Sequence, residues 1–154
     1  MIDLAHINEH GFWDVAALTD APLVVTHAGV HALCPSTRNL TDAQIDAVGE
    51  SAGVIGVIFE PVNTRPDGQP GAETPLSVIA DHMVYIAERI GVDHVAFGSD
   101  FDGADMPAAL GDAAGLPNLL EALRDRGFDE TDLEKIAYRN WFRVLNDSWH
   151  SSQS

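Results

Sequence analysis

The sequence predicts an α/β protein built on a parallel sheet, with about four βα units: half of an eight-stranded βα barrel, or a small open sheet. Three observations carry this. Four short apolar, β-rich runs recur along the 154 residues. Stretches with helical periodicity separate them. Each run also closes on a residue able to bind a metal or move a proton: Ile2–His6 (IDLAH), Pro22–His27 (PLVVTH), Gly53–Glu60 (GVIGVIFE) and His94–Asp100 (HVAFGSD). In βα architectures chemistry collects at the carboxyl ends of the strands, so two His, one Glu and one Asp at such ends read as an active-site rim.

The first run leads into a short helix over Phe12–Leu18, closed by Asp20-Ala21-Pro22. After the second run, Thr41 with Gln44 three residues on forms a capping box, and Ile45 and Val48 mark the inner face of the helix it opens. The third helix is the clearest. Pro75 lies in its first turn, Leu76, Ile79, Met83, Ile86 and Ile90 recur at three- and four-residue steps, and Gly91 stops it. Leu116–Arg126 carries Leu116, Leu119, Leu120 and Leu123 and ends at Gly127; Thr131 with Glu134 then opens a last helix. The order is β-α-β-α-β-α-β-α-α, without repeats. Residues 61–74 (PVNTRPDGQPGAET) form a Pro- and Gly-rich loop on the catalytic rim, placed to act as a lid. Residues 1–146 are expected to form one domain and 147–154 a frayed tail, which leaves His150 without a role. Four βα units are too few to close a barrel of roughly 250 residues. An unclosed half-barrel would have two sheet edges and exposed inner faces, with roughly half of Leu4, Val24, Val25, Ile55, Val57, Val95 and Phe97 uncovered; the chain is therefore expected not to be a stable monomer.

Composition narrows the partners. With 24 acidic residues against 8 basic and a net charge of −16, the surface repels nucleic acid and anionic membranes. No run approaches the ~20 apolar residues of a membrane span, and the N-terminus has neither a basic start nor a long apolar core, so a cytoplasmic location is expected. The single cysteine, Cys34, excludes an internal disulfide and reads as a packing residue. There is no GxSxG elbow, P-loop or GxGxxG.

His6 and His27 lie 21 residues apart, a spacing that is not by itself a metal signature. What favours a metal is that each ends its own run, and neighbouring parallel strands are under 5 Å apart. The two imidazoles could share one ion or serve one ion of a pair; the competing reading is a satisfied polar residue at a strand end. Asp100, in GSDFDG, is placed to orient water beside a metal and to shuttle its proton, or else to cap a turn, since Asp102-Gly103 is a turn dipeptide. The DFDGAD run lacks the Gly and distal Glu of a calcium loop. Arg38, in CPSTRN, suits either a two-pronged grip on a carboxylate or a surface ion pair. His82 reads as structural, His94 lies at the strand end away from the chemistry, His31 is near the rim, and His10 is exposed.

Taken together, IDLAH, APLVVTHAGVHALCPSTRNLTD, ADHMVYIAERIGVDHVAFGSDFDG and the terminal NWFRV resemble the membrane (renal) dipeptidase family of zinc dipeptidases, from about Ile2 to Val144. The resemblance implies a (βα)₈ barrel with a two-zinc centre that hydrolyses dipeptides. By matching position, it implies that His6 and His27 bind the second zinc, that Asp100 is the acid/base aspartate, and that Arg38 holds the carboxylate of a dipeptide substrate. It further implies that the family's His-x-Asp pair for the first zinc, the bridging Glu and a substrate-binding His lie upstream of the matched segment; the chain has no His-x-Asp, and Glu60 is assigned no role. The expectation is a zinc-dependent dipeptidase present as the carboxyl-terminal half of its barrel. Such a half would be inactive alone, a metal-binding or partner-binding fragment, unless a homodimer or a second chain supplied the missing half.

Overall fold

A computed structural model describes residues 1–150. Three parallel strands, β1 (Val24–Ala28), β2 (Val54–Val57) and β3 (Val95–Phe97), form one sheet in the order β1-β2-β3. Helices α1 (Glu9–Leu18), α2 (Asp42–Glu50), α3 (Pro61–Thr64), α4 (Leu76–Ile90), α5 (Leu116–Arg124), α6 (Glu130–Glu134) and α7 (Asn140–His150) connect and cover it. Among the described residues no helix is long and apolar enough to cross a membrane.

The helices form where capping and periodicity direct. Gln44 Oε1 accepts the Thr41 backbone N–H at 2.9 Å, as the capping box requires, and Ile45 and Val48 are buried. Gly91 closes α4 at φ 98°, a conformation that side chains rarely adopt. The start of α6 differs from expectation. Asp129 caps it by accepting the Asp132 N–H, because a carboxylate two residues earlier outcompetes the Thr131 hydroxyl as cap. A π-helical turn over Lys135–Arg139 leads into α7, and α7 continues through residues expected to fray. Residues 151–154 of that tail lie outside the described residues.

Two expectations are corrected here. Ile2–His6 is not a strand: only an isolated parallel bridge between Asp3 and Val24 remains. The Asp3 carboxylate takes the Ala5 N–H at 3.0 Å, and His6 stands at φ 65°, so the chain turns out of extended geometry after Leu4. Nor are the strand faces exposed. Leu4, Val24, Val25, Ile55, Val57 and Val95 are buried, and Phe97 is half-buried. One face meets Ile45, Val48, Ile79, Met83 and Ile86. On the other, α7 brings Val144 and Trp141 against Val24, Val54 and Ala96. The Asn140 amide and the Trp141 indole N–H also donate to the carbonyls of Val95 and Phe97 on β3, at 2.8 and 3.0 Å. A terminal helix therefore supplies cover that the strand count alone does not reveal.

Candidate metal centre

The rim is built at the carboxyl ends of β1 and β3 and in the turn after Leu4. Ala28 of β1 pairs with Val57 while Val25 pairs with Ile55, so β1 carries one extra residue between them. This bulge falls at Thr26 and His27, and a bulge breaks the strict alternation of side chains between sheet faces. On the far side of β2, Gly98 is obligatory: a Cβ there would stand 2.3 Å from the Thr26 carbonyl oxygen. His6, Asp100 and Asp102 all have left-handed backbones, at φ 65°, 57° and 66°. That conformation is costly for residues other than glycine, and it concentrates at this rim. A Cβ on Gly103 would lie 2.6 Å from Asp100 Oδ1, so the GSDFDG run is shaped around that carboxylate.

Four expected site residues are brought together. His6 Nε2 and His27 Nε2 are 2.9 Å apart, with the rings edge to face. Asp100 Oδ2 lies 3.9 Å from His27 Nε2, and Arg38 Nη2 lies 3.2 Å from His6 Nε2 and 3.3 Å from the His27 carbonyl. Asp100 makes no ion pair with Arg89 or Arg143, which engage Asp42, Asp46 and backbone carbonyls instead. His6 and Arg38 also line a cavity of about 340 Å³ that His31 borders.

Proton positions follow from the partners. The Asp3 carboxyl is driven up by burial, but hydrogen bonds from the Thr26 hydroxyl and from the Ala5 and Thr26 N–H groups outweigh this and hold it below the usual range. It is thus an acceptor only, and the Thr26 hydroxyl donates to it at 2.6 Å. Thr26 Oγ1, having spent its proton, accepts from Nδ1–H of His27 at 2.8 Å. Burial, reinforced by Arg38 and His6 and opposed by Asp100, keeps His27 below the usual imidazole value and so neutral. Its Nε2 therefore carries a lone pair. His6 Nε2 presents one too, since Arg38 can only donate to it.

Two lone pairs facing each other at 2.9 Å repel unless a cation sits against both. Nitrogen ligands of one zinc ion at ~2.0–2.1 Å would stand roughly 2.8–3.4 Å apart at right-angled to tetrahedral bond angles. The imidazole pair thus fits part of a metal's coordination sphere, with Asp100 Oδ2 3.9 Å from His27 Nε2. Among the described residues no group of three or more His, Cys, Asp or Glu is placed to hold a metal ion; the pair accounts for two ligands.

A second set of residues, of which Asn39 was not singled out from sequence, holds the Arg38 loop. Asn39, buried, accepts the Gly29 N–H and donates to the carbonyls of Cys34 and Asn63. His82 Nδ1 accepts the Val30 N–H, and its Nε2–H donates to the Thr64 carbonyl, both at 2.8 Å. His82 is thus structural, as expected, but it is also the tie between the loop after β1 and α3. Glu60 caps α3, accepts from Asn63 Nδ2, and attracts Arg38. His94 binds the Gly53 carbonyl at the opposite end of the sheet, and exposed His10 pairs with Asp14. The signals for Asn39 and Thr26 were present in sequence only as neighbours of Arg38 and His27.

Comparison with known proteins identifies the family. The family model described as membrane dipeptidase (peptidase family M19) matches residues 1–153. An uncharacterized protein in the pqqA 5′ region of Klebsiella pneumoniae is 50% identical over 148 residues, covering 96% of this chain and 55% of that protein. The dipeptidase ataJ of Aspergillus terreus is 39% identical over 148 residues, covering 94% of this chain and 35% of its own length. Among solved structures, a metallo peptidase from Rhodobacter sphaeroides, liganded with a phosphinate mimic of the dipeptide L-Ala-D-Ala, superposes with a TM-score of 0.94 at 46% identity. That match covers 97% of this chain and 42% of the other. The chain spans about a third to a little over half of the length of the proteins it matches.

Proposed function

Because the chain belongs to the membrane dipeptidase family, peptidase family M19, we propose that it carries one half of the metal centre of a zinc-dependent dipeptidase. The carrying observation is the pair of facing Nε2 atoms of His6 and His27, 2.9 Å apart. Zinc bound there would polarise a substrate carbonyl and acidify water. His6 and His27 would hold the ion through their Nε2 atoms. Asp100, beside His27 and 29% exposed, takes a proton from the attacking water and returns it to the leaving amine. Arg38 grips the carboxylate of a dipeptide through its planar fork. The metallo peptidase superposed above was solved with a dipeptide mimic, which supports this substrate class.

A second reading is favoured by the ligand count: the two imidazoles fall short of the three protein ligands of a catalytic zinc, and among the described residues no third His, Cys, Asp or Glu is placed to complete the set. On that reading the chain alone binds metal weakly and does not turn over, and a second copy or another chain supplies further ligands. Calorimetric zinc titration of the chain, beside a His6→Ala/His27→Ala double variant, tests both, with a dipeptide hydrolysis assay and light scattering on the same samples. Zinc binding lost in the double variant supports the centre. Binding equal in the two proteins overturns it. Robust hydrolysis by a monodisperse monomer would overturn the second reading.

A further inference from the structure

Behind the metal-facing side of His27 runs a chain of three groups: the Asp3 carboxylate, the Thr26 hydroxyl and the His27 Nδ1. The links measure 2.6 and 2.8 Å. We propose that Asp3, acting through Thr26, keeps the His27 proton on Nδ1 and so delivers the Nε2 lone pair to the metal position; this rests on the metal centre proposed above.

The direction of the chain is determined at its far end. An ionised carboxylate only accepts, so the single Thr26 proton points to Asp3 and the hydroxyl oxygen is left to accept from His27. Asp3 is itself oriented by two backbone bonds. Its Oδ1 receives the N–H groups of Ala5 and Thr26, each at 3.0 Å, which frees Oδ2 for the hydroxyl. The β1 bulge is what allows adjacent residues Thr26 and His27 to meet through their side chains, since in a regular strand they would point to opposite faces. A free neutral imidazole in water prefers its proton on Nε2, the wrong nitrogen for this site. Groups that orient a ligand through its second nitrogen commonly change metal affinity 10–100-fold. Asp3 and Thr26 are positioning residues; neither touches the metal position.

The Asp3→Asn substitution separates this role from a structural one. Its side-chain oxygen keeps both backbone bonds, but an amide N–H replaces the acceptor facing Thr26. The hydroxyl then receives a proton at that end and must turn its own toward His27 Nδ1, which moves the imidazole proton to Nε2. The experiment uses the full chain with ¹⁵N-labelled histidine. Long-range ¹H–¹⁵N correlation near neutral pH, without metal, reads the tautomer, with the His27 signals assigned by a His27→Gln variant. Zinc calorimetry and thermal melting follow on the same samples. Expected is a native His27 protonated on Nδ1, an inverted pattern in Asp3→Asn with zinc at least tenfold weaker, and the native pattern retained in Thr26→Ser but not in Thr26→Val. A native His27 protonated on Nε2, or an Asp3→Asn variant with the native pattern and zinc affinity within twofold, would overturn the relay. If Asp3→Asn does not melt cooperatively, Thr26→Val against Thr26→Ser carries the same contrast without touching the Asp3 backbone bonds. A tautomer that inverts as expected in a chain that binds no zinc would support the relay and overturn the metal centre instead.

Discussion

Arg38 Nη2 stands 3.2 Å from His6 Nε2, so a guanidinium occupies the direction in which His6 would bind a metal. Burial lowers the Arg38 pKa against the attraction of Asp100, Glu60 and Asp3, but a guanidinium stays charged. Its charge lies against the His6 lone pair and would oppose a second cation there. Replacing it with Met removes a positive charge a few ångströms from the centre. We expect Arg38→Met to bind zinc about 3–10-fold more tightly, given the 1–4 kcal/mol scale of charge interactions at such separations before screening. In an active assembly it should raise the KM for dipeptides. Calorimetry showing weaker zinc binding would mean that Arg38 organises the site instead.

Asp100 stands off from the imidazole pair, its Oδ2 being 3.9 Å from His27 Nε2, too far for a hydrogen bond. A proton carrier in that position is separable from metal binding. In a complete, active assembly, Asp100→Asn should lower kcat by about 10²-fold or more and leave zinc content nearly unchanged. Zinc loss in proportion to activity, read by atomic absorption, would reassign it as a ligand.

His82 is 1% exposed, and both its ring nitrogens are used. His82→Leu strands the Val30 N–H and the Thr64 carbonyl in the core. Each such orphan costs about 1–3 kcal/mol, so a loss of about 2–5 kcal/mol in urea unfolding is expected. A change under 1 kcal/mol would show that water or a rearranged loop satisfies both groups.

The same residue gives the fold a pH dependence. Burial pushes His82 below the ordinary value of 6.5, against the Thr64 carbonyl and Asp81. The unfolded chain therefore binds a proton at a higher pH than the folded chain does. Its stabilisation is complete above pH 6.5 and is lost as the pH falls toward the depressed folded value. Urea midpoints should drop as the pH falls below about 6.5, and less so in the His82→Leu variant. Equal slopes in the two proteins would clear His82 of this role.

Trp141 covers the sheet face carrying Val24, Val54 and Ala96, and its indole N–H binds the Phe97 carbonyl at 3.0 Å. Trp141→Ala uncovers that face and frees the carbonyl. A loss of about 2–4 kcal/mol is expected, near the lower end of large-to-small core substitutions because the ring is only partly buried. Light scattering should show more self-association than in the native chain. Unchanged stability and size would show that α7 is dispensable as cover.

Amphipathic period and capping chemistry are local, and they were legible. Leu76 through Ile90 with Gly91 placed α4 nearly to the residue, and Thr41 with Gln44 placed the start of α2. His6, His27 and Asp100 were legible as residue types at the ends of apolar runs and Arg38 as a basic residue on the loop after the second run, and the structure brings the four close together. Local pattern misread Ile2–His6, because its outcome depends on where the Asp3 carboxylate finds donors. Two of those, the N–H and hydroxyl of Thr26, lie 23 residues away.

What the sequence by itself determined, then, is the succession of elements, the acidic surface and the identity of the chemically able side chains, since each depends on neighbours within a turn or two. Only the tertiary structure decided which of those side chains face one another and which nitrogen holds the proton. It decided, too, that α7 closes the second face of the sheet. A bulge at Thr26–His27, a left-handed His6 and the return of Trp141 across 44 residues to Phe97 are settled by contacts between segments far apart in the chain, and no local preference encodes such contacts.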